Sequence, residues 1–155
     1  MGMHDQFGPD GIVLDNAMAY WIHRVYQATR NASFRAFRED TGEDVTPEQW
    51  IVLVRLWQED GQTQTEIGAA TYRDRPTMSR ILSGMERRGW VERRADESNQ
   101  RIWRIHLTPA GAALRRALVP KAQALVAQSL RGISKSDLVT TRETLKKMFA
   151  NLDGG

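Results

Sequence analysis

The sequence contains no cysteine at all. That excludes a disulfide framework, thiolate zinc sites and any sensing by cysteine oxidation. It also has no unbroken apolar run approaching membrane-spanning length, and Met1 to Asp5 lacks the basic region and apolar core of a signal peptide. The expectation is therefore a cytoplasmic protein with no membrane partner. Its histidines, His4, His23 and His106, are too scattered for a metal signature. No phosphate-binding glycine loop, nucleophile and base pair or ligand cluster is present, which argues against an enzyme and against any cofactor. Asp96 and Glu97 are adjacent acids, but such a pair in a polar turn shapes the turn more often than it does acid-base chemistry.

What remains is one domain's worth of chain, 155 residues with 41% hydrophobic content, or a compact subunit whose core a partner completes. The net charge of +3 is small, but its distribution is uneven. From Arg73 to Arg104 there are nine arginines (Arg73, Arg75, Arg80, Arg87, Arg88, Arg93, Arg94, Arg101, Arg104) and five acids, which leaves the remaining chain near −1. Every cation in that window is arginine, suited to bidentate contacts with guanine and phosphate.

Within the window, Met78, Ile81, Leu82 and Met85 recur at i, i+3, i+4 and i+7, which predicts a helix with one buried stripe. Its other side carries Thr77, Ser79, Arg80, Ser83 and Arg87. Asp74 or Arg75 would be its N-cap, Pro76 lies near its first position, and Gly89 would end it as C′. Thr63-Gln64-Thr65-Glu66 has the form of a capping box that opens a shorter preceding helix through Ile67 and Ala70. Two helices so joined make a helix-turn-helix. Beyond Gly89, residues 90–94 and 101–107 suit two strands, the second alternating Trp103, Ile105 and Leu107 against Arg104 and His106, with Ala95 to Gln100 as a wing tip.

A helix placed in a DNA major groove needs short polar residues near its start and arginines able to reach base edges. Arg80 is the first candidate for a base or phosphate contact, and Arg73 and Arg75 at the helix start are natural phosphate contacts. Gln64 and Thr65, opening the preceding helix, are further phosphate candidates. The bland alternative is a solvated helix face.

The flanks are helical. Leu14, Met18, Trp21, Ile22, Val25, Ala28, Thr29, Ala32 and Ala36 keep helical spacing from Ile12 to about Arg38. Met1 to Gly11, with three glycines and a proline, suits a flexible arm. Thr46-Pro47-Glu48-Gln49 opens a helix carrying Trp50, Leu53, Val54 and Trp57 and ending near Gly61. Thr108-Pro109 opens another, kinked by Pro120, and Ser134 to Asp137 opens a last one through Leu138, Leu145, Met148, Phe149 and Leu152. Trp50, Trp57, Trp90 and Trp103 fall on stripes expected to be core.

In family order, Arg-Pro-Thr-Met-Ser-Arg-Ile-Leu (75–82), Met-Glu-Arg-Arg-Gly-Trp-Val-Glu-Arg (85–93), an Asp-x-x-x-x-Arg wing (96–101) and Leu-Thr-Pro-Ala-Gly (107–111) resemble the MarR (multiple antibiotic resistance regulator) family. The resemblance spans about Ile12 to Leu152. It implies a mainly α, α+β winged-helix fold: a flexible arm at 1–11, a DNA-binding lobe at 46–107, and helical dimerisation regions at 12–45 and 108–155. It further implies a homodimeric repressor on a pseudo-palindromic duplex operator, with Arg101 in the wing near the minor groove. A small aromatic or phenolic effector would bind near Tyr20, Trp21 and Arg24, residues that a dimer interface would equally require. The family's wing tip usually carries Asp-Arg-Arg, whereas Asn99, Gln100 and Arg101 stand here. That departure lends some support to the alternative of a winged-helix module that binds another protein and has lost DNA reading.

Overall fold

A computed structural model describes residues 7–8, 11–71 and 74–153. Six helices and five short strands follow one another along it. The first strands, β1 (Phe7–Gly8) and β2 (Gly11–Ile12), pair antiparallel within the stretch expected to be an arm. Helix α1 spans Met18–Thr41. It starts later than the periodicity suggested because Leu14–Asn16 winds into a 3-10 turn and Ala17 is extended, which interrupts the α ladder before Met18.

Helix α2 (Pro47–Gln58) opens on a full capping box. The Gln49 amide donates to the Thr46 hydroxyl at 3.2 Å and the Thr46 amide to the Gln49 side chain at 3.1 Å. It buries Val52, Leu53 and Leu56, while Trp50 and Trp57 cover the core's edge with their rings 5.6 Å apart. Phe37 of α1, which fell off the expected stripe, packs its ring 5.1 Å from Trp50 and is almost fully buried.

Strand β3 (Gln62–Thr63) precedes α3 (Gln64–Thr71), and α4 follows over Arg75–Arg87. Strands β4 (Val91–Ala95) and β5 (Trp103–Leu107) form the wing ribbon. β3 adds to the outer side of β5, giving an antiparallel sheet in the order β3, β5, β4 with Gln62 opposite Ile105 and Val91 opposite Leu107. Leu53, Ile67, Met78, Leu82, Met85 and Ile105 meet in the core enclosed by α2, α3, α4 and this sheet. The mostly helical winged helix-turn-helix anticipated from the sequence is thus the fold observed.

Trp103 departs from expectation. It stands opposite Ala95 at the outer end of the ribbon, two pairs beyond buried Ile105, and is 56% exposed, because the ribbon there has left the core that its alternation points towards.

The chain divides into two compact units, Met1–Ala122 and Gln123–Gly155, with the division falling inside α5 (Pro109–Ser129). Helix α5 continues through Pro120. In the second unit, Ser134 caps α6 (Lys135–Asp153) by accepting from the Asp137 amide at 3.1 Å. Among the described residues no helix is long and apolar enough to cross a membrane.

Candidate nucleic-acid interface

Helix α4 is defined at both ends by side-chain chemistry. Asp74 is the N-cap, its carboxylate accepting from the Thr77 amide at 2.9 Å. Hydrogen bonding from the Thr77 side chain and amide, with Arg80 contributing at longer range, holds the Asp74 carboxyl below its ordinary value. At the other end Gly89 takes φ +69°, the Trp90 amide donates to the Met85 carbonyl at 3.0 Å, and the Gly89 amide donates to Glu86 at 2.9 Å. This is a Schellman closure.

The helix buries Met78, Ile81, Leu82 and Met85. Arg80, Ser83 and Arg87, at i, i+3 and i+7, therefore share the outward face. Arg75, Arg80 and Arg87 are exposed, and Thr77, Ser79 and Ser83 are half-buried. Arg73 lies outside the described residues.

The preceding helix is tied to this one at its start. The Thr63 amide donates to Glu66 at 2.7 Å and the Glu66 amide to the Thr63 hydroxyl at 3.2 Å, so the capping box is complete. Gln64 then donates its side-chain amide to the Arg75 carbonyl at 3.1 Å. Thr65 beside it is exposed. Both helix starts thus sit together, with Gln64 linking them.

The arginines fall into two groups. Arg88 pairs with Glu43 at 3.1 Å and lies 4.8 Å from the Trp90 ring centroid, and Arg93 pairs with Glu86 at 3.0 Å. Arg94 pairs with Glu92, and Arg104 with Asp96. For Arg75, Arg80, Arg87 and Arg101 no ion pair is recorded among the described residues. Within the described part of the arginine-rich window, the charge still available to a polyanion lies on α4 and at the wing tip.

The wing tip is built on two polar side chains. Asp96 accepts from the Ser98 amide at 2.9 Å, the Ser98 hydroxyl at 2.5 Å and the Asn99 amide at 3.1 Å. Its carboxyl is held far below the ordinary range, first by the Ser98 hydroxyl and then by Arg104. Asn99 accepts from the Arg101 amide at 3.1 Å, which fixes the backbone that carries Arg101.

The effector candidates form a separate cluster on α1. Tyr20 and Trp21 meet edge to face at 5.4 Å, and the Arg24 guanidinium lies 5.8 Å from the Tyr20 ring centroid with Nη1 3.5 Å from the hydroxyl. Trp21 donates its indole N–H to the Asp15 carbonyl at 2.7 Å.

Sequence reasoning missed the position where α5 meets the sheet. Thr108 donates its hydroxyl to the Gly89 carbonyl at 2.5 Å and accepts from the Gly111 amide at 3.1 Å, while Trp57 donates its indole N–H to the Gly111 carbonyl at 3.0 Å. The Thr-Pro-Ala-Gly run carried that signal as a cap with a small residue three positions on.

The MarR family model matches residues 45–103, the stretch from α2 to the wing tip. The organic hydroperoxide resistance transcriptional regulator of Bacillus subtilis is 30% identical over 109 residues, covering 70% of this chain and 68% of that protein. The HTH-type transcriptional regulator TtmR of Methylorubrum extorquens is 31% identical over 103 residues, 66% of this chain, and the matched stretch spans only 51% of that regulator's length. Among solved structures, CouR from Rhodococcus jostii RHA1 bound to p-coumaroyl-CoA superposes with a TM-score of 0.73 at 25% identity, covering 88% of this chain and 94% of that one.

Proposed function

The chain belongs to the MarR family, and on that premise we propose that it is a homodimeric transcriptional repressor that reads a pseudo-palindromic DNA operator. One observation carries this reading: α4 presents Arg75 at its start and Arg80 and Arg87 on its outward face, all exposed and without ion pairs among the described residues, while four arginines around it are held by acids. In the major groove Arg80 and Ser83 reach base edges, and Arg75, Thr77, Ser79, Gln64 and Thr65 meet the backbone. Arg73, in the turn before the helix, is assigned to phosphate on its place in the sequence alone. Arg101 meets the flanking minor groove.

Dimerisation is supported by apolar residues left in water on single helices. On α1 these are Met18, Trp21, Ile22 and Val25, and on α6 Val139, Leu145 and Leu152, the last 84% exposed. Such stripes cost free energy unless a second copy covers them. Two recognition helices on a two-fold axis then read half-sites about one helical turn apart.

Release by a small effector follows by population shift: a ligand that prefers a dimer with the wrong helix spacing lowers DNA affinity by that preference. Tyr20, Trp21 and Arg24 supply aromatic walls and one cation, which suit an anionic aromatic or phenolic compound.

The test is selection of duplexes from a random library, then anisotropy titration of the selected duplex with the full chain and its Arg80→Ala variant. The expected result is a palindromic motif and a loss of about 1 to 3 kcal/mol for the variant. No motif, with the variant behaving as the parent, would overturn the reading.

A further inference from the structure

We infer that Arg104 is a positioning residue for DNA binding, fixing the wing against the helix-turn-helix without itself contacting DNA; the inference rests on the DNA-reading function above. Its charge belongs to the basic window, so the simplest view makes it one more phosphate contact. Its surroundings argue otherwise.

Arg104 lies on β5, on the face of the ribbon opposite buried Ile105, and its guanidinium is committed in three directions. Nε donates to the Asp96 carboxylate at the base of the wing tip. Nη1 donates to the Gly61 carbonyl at 3.0 Å, before β3, and lies 3.8 Å from Glu66 of α3. These anchors belong to three separate parts of the chain.

Two of these anchors lead on to DNA-facing elements. Asp96 gathers the Ser98 and Asn99 amides, and Asn99 in turn receives the amide of Arg101. Glu66 is half of the α3 capping box, and neighbouring Gln64 bonds the Arg75 carbonyl at the start of α4. Polar contacts therefore link the wing tip through Asp96 and Arg104 to Glu66 in the first turn of α3, and Gln64 of that same turn holds the start of the recognition helix. A two-stranded ribbon is soft on its own. Holding its angle beforehand removes an ordering cost from binding. Only a planar guanidinium with five donors can serve three acceptors in this arrangement, so lysine should not replace it.

The experiment is an anisotropy salt series on the selected duplex with the unaltered chain, Arg104→Ala, Arg104→Lys, Asp96→Asn and the Arg104→Ala/Asp96→Asn double variant. Amide hydrogen exchange of residues 96–102 is measured without DNA. Asp96→Asn is the decisive arm, because removing an acid beside a polyanion should strengthen binding by charge alone. A positioning role predicts the reverse: Asp96→Asn, Arg104→Ala and Arg104→Lys each weaken binding on the order of ten-fold, the double variant is no weaker than either alanine or asparagine single, the salt slope is unchanged, and wing exchange quickens. A slope reduced by about one in Arg104→Ala makes it a phosphate contact and overturns the proposal. So does tighter binding by Asp96→Asn, or lowered thermal stability with DNA affinity intact. If the unaltered chain selects no duplex, the DNA-reading function itself fails, and this inference with it.

Discussion

Gly111 packs so closely on Trp90 that a Cβ at that position would come within 1.9 Å of the Trp90 carbonyl oxygen. Backbone cannot be approached at that distance, and the obstacle is not the end of a flexible side chain. The same few residues hold the Trp57 indole N–H on the Gly111 carbonyl and the Thr108 hydroxyl on Gly89, so α5 cannot back away without breaking them. Gly111→Ala should destabilise the fold by about 3 kcal/mol, at the upper end of what overpacking costs. Urea denaturation of Gly111→Ala beside exposed Ala113→Gly checks this. A gain in Gly111→Ala matching the loss in Ala113→Gly would mean that only helix propensity is at work.

The recognition face makes a prediction about two arginines eight positions apart. Arg80 is exposed and has no ion pair among the described residues, whereas Arg88 is held by Glu43 and stacked over Trp90. Arg80→Ala should cost about 1 to 3 kcal/mol of affinity for the selected duplex, with the slope of log affinity against log salt little changed and folding stability unaffected. Arg88→Ala should leave that slope alone and lower the melting temperature instead, because its guanidinium covers an aromatic ring and closes a contact between distant segments. A reduced slope in Arg88→Ala would enlarge the interface beyond α4's outer face.

These contrasts mark how far the sequence could be read. The caps were legible because each is a local code: Thr46 with Gln49, Thr63 with Glu66, Asp74 before Pro76 and Gly89 after the apolar stripe all act within four residues. The recognition helix and ribbon followed from spacing for the same reason. Arg104 was opaque, since its partners Gly61, Glu66 and Asp96 are brought to it only by the closed sheet. Strand β3, two residues long, is too short to show a period. Trp103 misled because alternation tells which face a side chain takes, and not whether the core extends beneath it.

Acid should loosen the helix-turn-helix and wing. The carboxyls of Asp96, Asp74 and Glu66 all sit below their ordinary values of 3.8, 3.8 and 4.5, held by hydrogen bonds from Ser98, Thr77 and Thr63 first of all. A carboxyl lowered in the folded state contributes stability that is fully present above its unfolded value and is lost as pH falls through the folded one. Melting temperature should therefore be level in these contributions above about pH 5 and decline below about pH 4. Asp96→Asn should flatten part of the decline. An acid limb of the same steepness in that variant would remove Asp96 from the account.

Association should depend on α6. Leu145 is 39% exposed in the single chain, and together with Val139 and Leu152 it leaves an apolar stripe in water. If a second copy covers that stripe, Leu145→Glu buries an unpaired carboxylate in the interface and should shift the chain to a monomer. Sedimentation velocity at micromolar concentration reads this directly, and a palindromic duplex should lose affinity in parallel, since each monomer then binds one half-site. An unchanged dimer would place the interface elsewhere.

The α1 cluster makes the sharpest statement about effectors. Tyr20 and Trp21 meet at 5.4 Å with Arg24 over the Tyr20 ring, and Trp21 stays 45% exposed. A ligand seated there changes the environment of an indole that is otherwise wet, so an aromatic carboxylate should alter its fluorescence saturably. Arg24→Ala should weaken that binding about ten-fold by removing the guanidinium beside the rings, and Arg24→Lys should restore part of it. The same compound should lower DNA affinity by the factor by which DNA lowers affinity for the compound, because the two equilibria share one cycle. Four other tryptophans contribute to the signal, so Trp21→Phe is the needed control. Saturation that survives unchanged in both Trp21→Phe and Arg24→Ala would place the effector at another site.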